Sequence, residues 1–178
     1  MNDNIINESV SATNIENYKI VILGDQYVGK TSILNKYKYE NSDDKYTPTI
    51  GIDFITKNVY LEEKTIRLIM WDTAGSERFK SLIPTYIKNA NAIILTYDIT
   101  NKQSFYSLDK WLIDISDKVP TNAYIIIAGN KLDMENKRQV PLDEIKKFAE
   151  ERKLKFIETS AKTGHNINEL FLTITSSL

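Results

Sequence analysis

The residues best placed to do chemistry are Gly24-Asp25-Gln26-Tyr27-Val28-Gly29-Lys30-Thr31, two glycines, a lysine and a threonine with the spacing of a phosphate-binding loop. Glycines let backbone N–H groups curl round phosphate oxygens, and a helix that starts there adds the positive end of its dipole. Lys30 is expected to reach the β- and γ-phosphates and the Thr31 hydroxyl to ligate Mg²⁺. Asp25, Gln26, Tyr27, Val28, Gly29 and Ser32 complete the nucleotide-binding stretch. The plain alternative is a chance turn with a surface lysine, and the flanks argue against it. Tyr18 to Leu23 reads as a buried strand, and Ser32 to Tyr37 as the start of a helix that runs to about Glu40.

Three further loops carry matching chemistry. Asp72-Thr73-Ala74-Gly75 closes a strand, where an aspartate can hold the Mg²⁺ shell through water and Gly75 can bring a backbone N–H to a γ-phosphate. Alone this D-x-x-G is weak; after a phosphate loop it is strong. Thr49, between Pro48 and Ile50-Gly51, can complete the Mg²⁺ site when the γ-phosphate is present, or be a solvent-facing loop threonine. Asn130-Lys131-Leu132-Asp133 suits guanine: the Asp133 carboxylate can accept the N1–H and N2–H₂ donors, which adenine lacks at those positions. Asn130 is expected to brace neighbouring loops and touch the base edge, and the Lys131 stem to cover its face. Ser160-Ala161-Lys162 offers backbone N–H groups near the guanine O6.

These loops need a scaffold that presents them together. Ile52 to Leu61 and Lys64 to Trp71 read as strands of an antiparallel hairpin, and Asn91 to Asp98 and Ala123 to Gly129 as strands buried on both faces. A further run, Phe156 to Thr159, precedes Ser160. Helical stretches fall at about 77–89, 102–118, 141–153 and 166–177, with Pro141 suited to a first turn. Residues 41–48 have the turn chemistry of a mobile loop, and residues 1–16 are polar and asparagine-rich, expected to be a disordered arm. Alternating strands and helices predict a doubly wound α/β domain with ligand at the C-terminal edge of the strands.

Composition narrows the classes. At 178 residues, 42% hydrophobic and 26% charged, the chain has material for one domain with a full core. A net charge of −1 gives no reason to expect nucleic acid or an anionic membrane surface as partner. No apolar run is long enough for a transmembrane helix. The absence of cysteine excludes disulfides, thiolate metal sites and prenylation of the chain as given. His165, the single histidine, has no companion for a zinc site, Trp111 reads as packing, and Lys146-Lys147 with Glu150-Glu151 reads as a solvated helix face.

Over about residues 17–178 the sequence resembles the small GTPases of the Ras superfamily, and more narrowly the Rab family. The marks are Ile50-Gly51-Ile52-Asp53-Phe54, Trp71-Asp72-Thr73-Ala74-Gly75, Glu77-Arg78-Phe79 and Tyr97-Asp98-Ile99-Thr100. Ser81 to Ile87 and Lys137-Arg138-Gln139-Val140 look closest to the Golgi-associated branch. The resemblance implies a six-stranded, mostly parallel sheet with five helices, a P-loop NTPase fold. It implies GTP and GDP binding with Mg²⁺, GTP hydrolysis, and regulation of vesicle traffic. Lys30, Thr49 and Gly75 are then the catalytic contacts, and Tyr46 the tyrosine that closes over the phosphates. Phe54, Trp71 and Tyr86 become an aromatic triad read by effectors, their alternative being core or hairpin packing. Expected partners are effectors, an exchange factor and a GTPase-activating protein, with the chain itself a monomer. Family members continue through a tail with prenylated cysteines, so the chain is expected to be a truncated G domain, soluble and cytoplasmic, the alternative being a natural tail-less form. The full-length protein is then expected on the cytosolic face of Golgi or related membranes.

Three positions depart from the family pattern. Ser76 replaces the glutamine that orients the attacking water, which predicts slow intrinsic hydrolysis. An activating protein that contributes an arginine and a glutamine, as the resemblance implies, makes Ser76 tolerable. The alternative is a binding module, loaded with guanine nucleotide and unable to hydrolyse it usefully. Gln26 crowds the γ-phosphate where faster relatives have glycine, although the nearest branch shares it. Ser42 replaces a phenylalanine that packs on the base, which predicts faster nucleotide release unless Tyr39 or another aromatic covers it. An adenylate-using kinase is opposed by Asn130 to Asp133.

Overall fold

Isoleucine, valine and leucine occupy Ile20 to Leu23, and in the computed structural model this run is the fully buried part of β1 (Ile15–Gly24). The structure describes residues 15–39, 52–60, 65–73 and 81–178, with the backbone alone at Ile52 and Asp53. β1 lies inside a six-stranded sheet whose order is β2-β3-β1-β4-β5-β6. The other strands are β2 (Ile52–Tyr60), β3 (Thr65–Thr73), β4 (Ala92–Asp98), β5 (Tyr124–Asn130) and β6 (Lys155–Glu158). β2 and β3 pair antiparallel, Phe54 opposite Trp71, and all other neighbours are parallel. This is the mixed, mostly parallel α/β architecture that the alternating pattern predicts.

Alternation along the strands sends successive side chains to opposite faces, so the sheet carries two cores. On one face Val21, Leu23, Ile93, Leu95 and Ile127 pack with α2 (Ile83–Ile87), α3 (Lys102–Ile115) and α4 (Leu142–Arg152). On the other Ile20, Ile22, Met70, Ile94 and Ile126 pack with α1 (Lys30–Tyr39) and α5 (Ile167–Thr175). Tyr37 of α1 stacks on Phe171 of α5 at 3.7 Å between ring centroids. Every residue of β4 is buried, as a strand covered on both faces must be.

Several boundaries differ from the sequence reading. β1 starts at Ile15, so Ile15 and Glu16, assigned to the arm, are strand residues paired with Thr65 and Ile66 of β3. The long partner strand supplies the backbone groups that extend it. β3 runs on through Asp72 and Thr73, where the Thr73 hydroxyl donates to the Ile22 carbonyl at 2.7 Å. Pro141 stands just before α4 with extended backbone, and Lys153, in the left-handed region, ends that helix. α3 stops at Ile115, three residues short of the expected end, and the expected helix at 77–89 is seen as the short α2, which stops at Ile87. Residues 1–14, the loop 41–48 and residues 74–80 lie outside the described residues.

Candidate functional site

The C-terminal ends of β1, β3, β5 and β6 bring the phosphate loop, Asp72, Asn130 and Ser160 to one edge of the sheet. The loop after β1 is fixed by its glycines. Gly24 has φ +143°, and a Cβ there would lie 2.2 Å from the Thr96 carbonyl oxygen; Gly29 has φ +96°, and a Cβ would lie 2.3 Å from Asn130 Nδ2. Neither position tolerates a side chain. Between them Val28 is buried, whereas Gln26 and Tyr27 are exposed, Tyr27 in the left-handed region. α1 opens directly from this loop, with the Ile33 N–H donating to the Gly29 carbonyl. The N–H groups of its first turn have no acceptor within the helix, which makes the loop an anion site.

Lys30 is buried, and its ammonium donates to the carbonyls of Gly24 at 3.0 Å and Asp25 at 2.8 Å. Burial pushes its pKa down to about 8, against the opposing pull of the Asp72 and Asp25 carboxylates. Phosphate oxygens are the natural counter-charge for such a cation. Nearby, the Thr31 hydroxyl donates to Asp72 Oδ2 at 2.5 Å. This hydroxyl and this carboxylate are hard oxygen donors side by side at the phosphate loop. They fit Mg²⁺, which takes one or two protein ligands and keeps its waters.

The base loops are tied to the phosphate loop by Asn130. Its Nδ2 donates to the Val28 carbonyl at 2.9 Å, and its Oδ1 accepts from the Ala161 N–H at 3.0 Å and the Thr159 hydroxyl at 3.3 Å. Asn130 therefore braces the neighbouring loops, as expected, and is buried; its Nδ2 spends one of its two N–H donors on Val28. Lys131, held in the left-handed region, pairs with Asp98 at 2.7 Å, which fixes the ammonium and leaves the stem to flank the site. Asp133 is exposed and accepts from the Ser160 hydroxyl through Oδ1 at 2.6 Å. The Ser160 and Ala161 N–H groups, expected near the base O6, donate instead to His165 O and Asn130 Oδ1. The Lys162 N–H is the member of that trio with no protein acceptor among the described residues.

Two supports of these loops were not read as such in the sequence. Trp111, taken as packing, is buried and also donates its indole N–H to Asp25 Oδ1 at 2.9 Å. Arg138 grips Glu158 with two bonds of 2.7 Å and so joins the chain after Asp133 to the end of β6. Only the tendency of a buried indole to find an acceptor pointed to the first, and nothing in the sequence paired the second.

The aromatic trio divides. Phe54 is exposed, its ring 6.2 Å from that of half-buried Trp71, over which the Lys19 ammonium sits at 4.5 Å. Tyr86 is buried in the core beneath α2, so the expected exposed triad reduces on this surface to Phe54 and Trp71. Ser42, Tyr46, Thr49, Gly75 and Ser76 lie outside the described residues.

Residues 19–178 match the Ras family, which covers β1 from its buried half through α5. With the match spanning nearly the whole chain, and the phosphate and base loops gathered on one edge of a six-stranded sheet, this chain belongs to the Ras family of small GTPases, GTP-binding switch proteins.

Proposed function

We propose that this chain is a Rab-type switch that binds GTP and GDP, hydrolyses GTP to GDP and phosphate, and recruits effectors in vesicle traffic while GTP is bound. The observation that carries the reading is the Asn130 brace, which locks the guanine-type loop to the phosphate loop through the Val28 carbonyl. A base and its phosphates are thereby read by one rigid unit.

In the reaction, water attacks the γ-phosphorus, the bond to the β,γ-bridging oxygen breaks, and GDP and phosphate leave. Lys30 exchanges the carbonyls of Gly24 and Asp25 for β- and γ-phosphate oxygens. Thr31, Thr49 and, through water, Asp72 would hold Mg²⁺, which would supply positive charge beside the phosphates. On this reading the Thr49 hydroxyl joins the Mg²⁺ site only when the γ-phosphate is present and the Gly75 N–H senses that phosphate, so GTP would order both loops and GDP release them. Asp133 accepts the guanine N1–H and N2–H₂ while the Ser160 hydroxyl holds its carboxylate in place. Ser76 cannot orient the attacking water as a glutamine amide does, and this favours a second reading, a binding module loaded with guanine nucleotide and unable to hydrolyse it usefully. The Rab-like motifs support action on the cytosolic face of Golgi or related membranes, reached through a prenylated tail.

The test is to denature freshly purified protein and identify the released nucleotide by chromatography. Mostly GDP supports the turning-over switch, and mostly GTP supports the binding module. Little guanine nucleotide of either kind overturns both.

A further inference from the structure

α3 is tied to the nucleotide site at two points on one face. Near its start, the Ser104 hydroxyl accepts from the Asp98 N–H at 3.0 Å, and Asp98 in turn holds Lys131 of the base loop at 2.7 Å. Two turns further on, Trp111 donates to Asp25 at 2.9 Å, and the Asp25 carbonyl is one of the two that hold Lys30. Seven residues separate the two anchors, about 10 Å along a helix, and put them on the same side. The helix is a fixed spacer: Asn101 caps its first turn, accepting from the N–H groups of Gln103 and Ser104, and Phe105, Leu108 and Ile115 seat it in the core. Both anchors are buried, with Ser104 2% and Trp111 4% exposed, so water competes poorly for either bond.

We propose that Trp111 is a positioning residue for the nucleotide: through Asp25, its indole N–H holds the phosphate loop at a set distance from the base loop and so lengthens the time the nucleotide stays bound. A packing role needs the ring alone; this role needs the N–H. The inference rests on the guanine-nucleotide reading above and deepens it.

The experiment is the release of fluorescently tagged GDP, chased with excess unlabelled GDP in the presence of Mg²⁺. It compares the wild type with Trp111→Phe, Asp25→Ala, Asp25→Asn and the double variant Trp111→Phe/Asp25→Ala. Trp111→Phe is expected to release about tenfold faster, the lower end for a hydrogen bond to a carboxylate. Its unfolding midpoint at one fixed GDP concentration should fall by no more than that loss of nucleotide affinity accounts for. Asp25→Ala should be similarly fast, the double variant no faster than Asp25→Ala, and Asp25→Asn, which keeps an acceptor oxygen, should recover most of the loss. Wild-type release from Trp111→Phe overturns the proposal. So do losses that multiply in the double variant, or an Asp25→Asn as fast as Asp25→Ala. A wild type that retains no tagged GDP overturns the underlying reading instead, which keeps the two failures apart.

Discussion

Removal of Arg138 should destabilise the protein far more than its place near the surface suggests. The guanidinium makes two bonds of 2.7 Å to Glu158, bonds of 2.9 and 2.6 Å to Glu135, and one of 3.0 Å to the Val140 carbonyl. The Glu158 pair matters most because the two side chains are only 15% and 11% exposed, whereas Glu135 is 61% exposed. In Arg138→Met the Glu158 carboxylate keeps its burial and loses its counter-charge, with the Tyr97 hydroxyl, at 3.5 Å, its one remaining side-chain partner among the described residues. Breaking a buried pair in this one-sided way costs about 3–5 kcal/mol, and the residual exposure puts this case near 3 kcal/mol. For a chain of this size that corresponds to a midpoint lower by roughly 6–12 °C. Replacing both partners in Arg138→Met/Glu158→Leu leaves no orphaned charge and should return to within about 1 kcal/mol of the wild type. Glu135→Ala removes a surface pair and should cost about 0.5 kcal/mol. The assay is urea unfolding at one fixed concentration of GDP and Mg²⁺, because bound nucleotide adds its own stabilisation. A loss below about 1 kcal/mol in Arg138→Met, or a double variant no more stable than the single, would refute the reasoning.

Three other outcomes are expected. Ser76→Gln restores an amide that can orient water and should raise single-turnover GTP hydrolysis on the order of tenfold or more; an unchanged rate refutes the role given to position 76. Gly129→Ala places a Cβ 2.6 Å from the Tyr97 hydroxyl oxygen and 2.7 Å from its ring, in a fully buried site, so it should cost about 1–3 kcal/mol in urea unfolding. Burial, and then the Glu158 carboxylate, raise the pKa of Tyr97, so near and above pH 10 the unfolded chain gives up the phenolic proton first. Stability should therefore be whole below about pH 10 and fall above it, and Tyr97→Phe should flatten that fall in alkaline unfolding curves.

The phosphate loop was legible because its physics is local. A β-branched run, two glycines and a helix start dictate strand, loop and helix within fourteen residues, Tyr18–Thr31. The buried strands β4 and β5 were legible for the same reason, as short apolar runs. Bonds that join distant segments left no such trace. Trp111 and Asp25 lie 86 residues apart, and nothing in the helical spacing of α3 shows where its indole N–H points. Asn130 was expected to brace neighbouring loops, and as the last residue of β5 it does, but nothing in the motif named Val28, Thr159 and Ala161 as its partners. Tyr86 illustrates an outright error. One turn of helix carries too little periodicity to reveal its buried side, and its ring fills the core.

Asn130 also bears on how the molecule is made and lost. Its amide joins a carbonyl 102 residues earlier to an N–H 31 residues later. Contacts between segments so distant in the chain each close a long loop, which makes them costly to form early. We predict that the nucleotide site is completed after the transition state for folding, which a φ-value near zero for Asn130→Ala would support and a value near one would refute. A ligand that binds only the finished site acts after that barrier, so it slows unfolding and leaves the folding rate nearly untouched. Guanine nucleotide, on this account, works as a kinetic lock on a chain that has already found its shape.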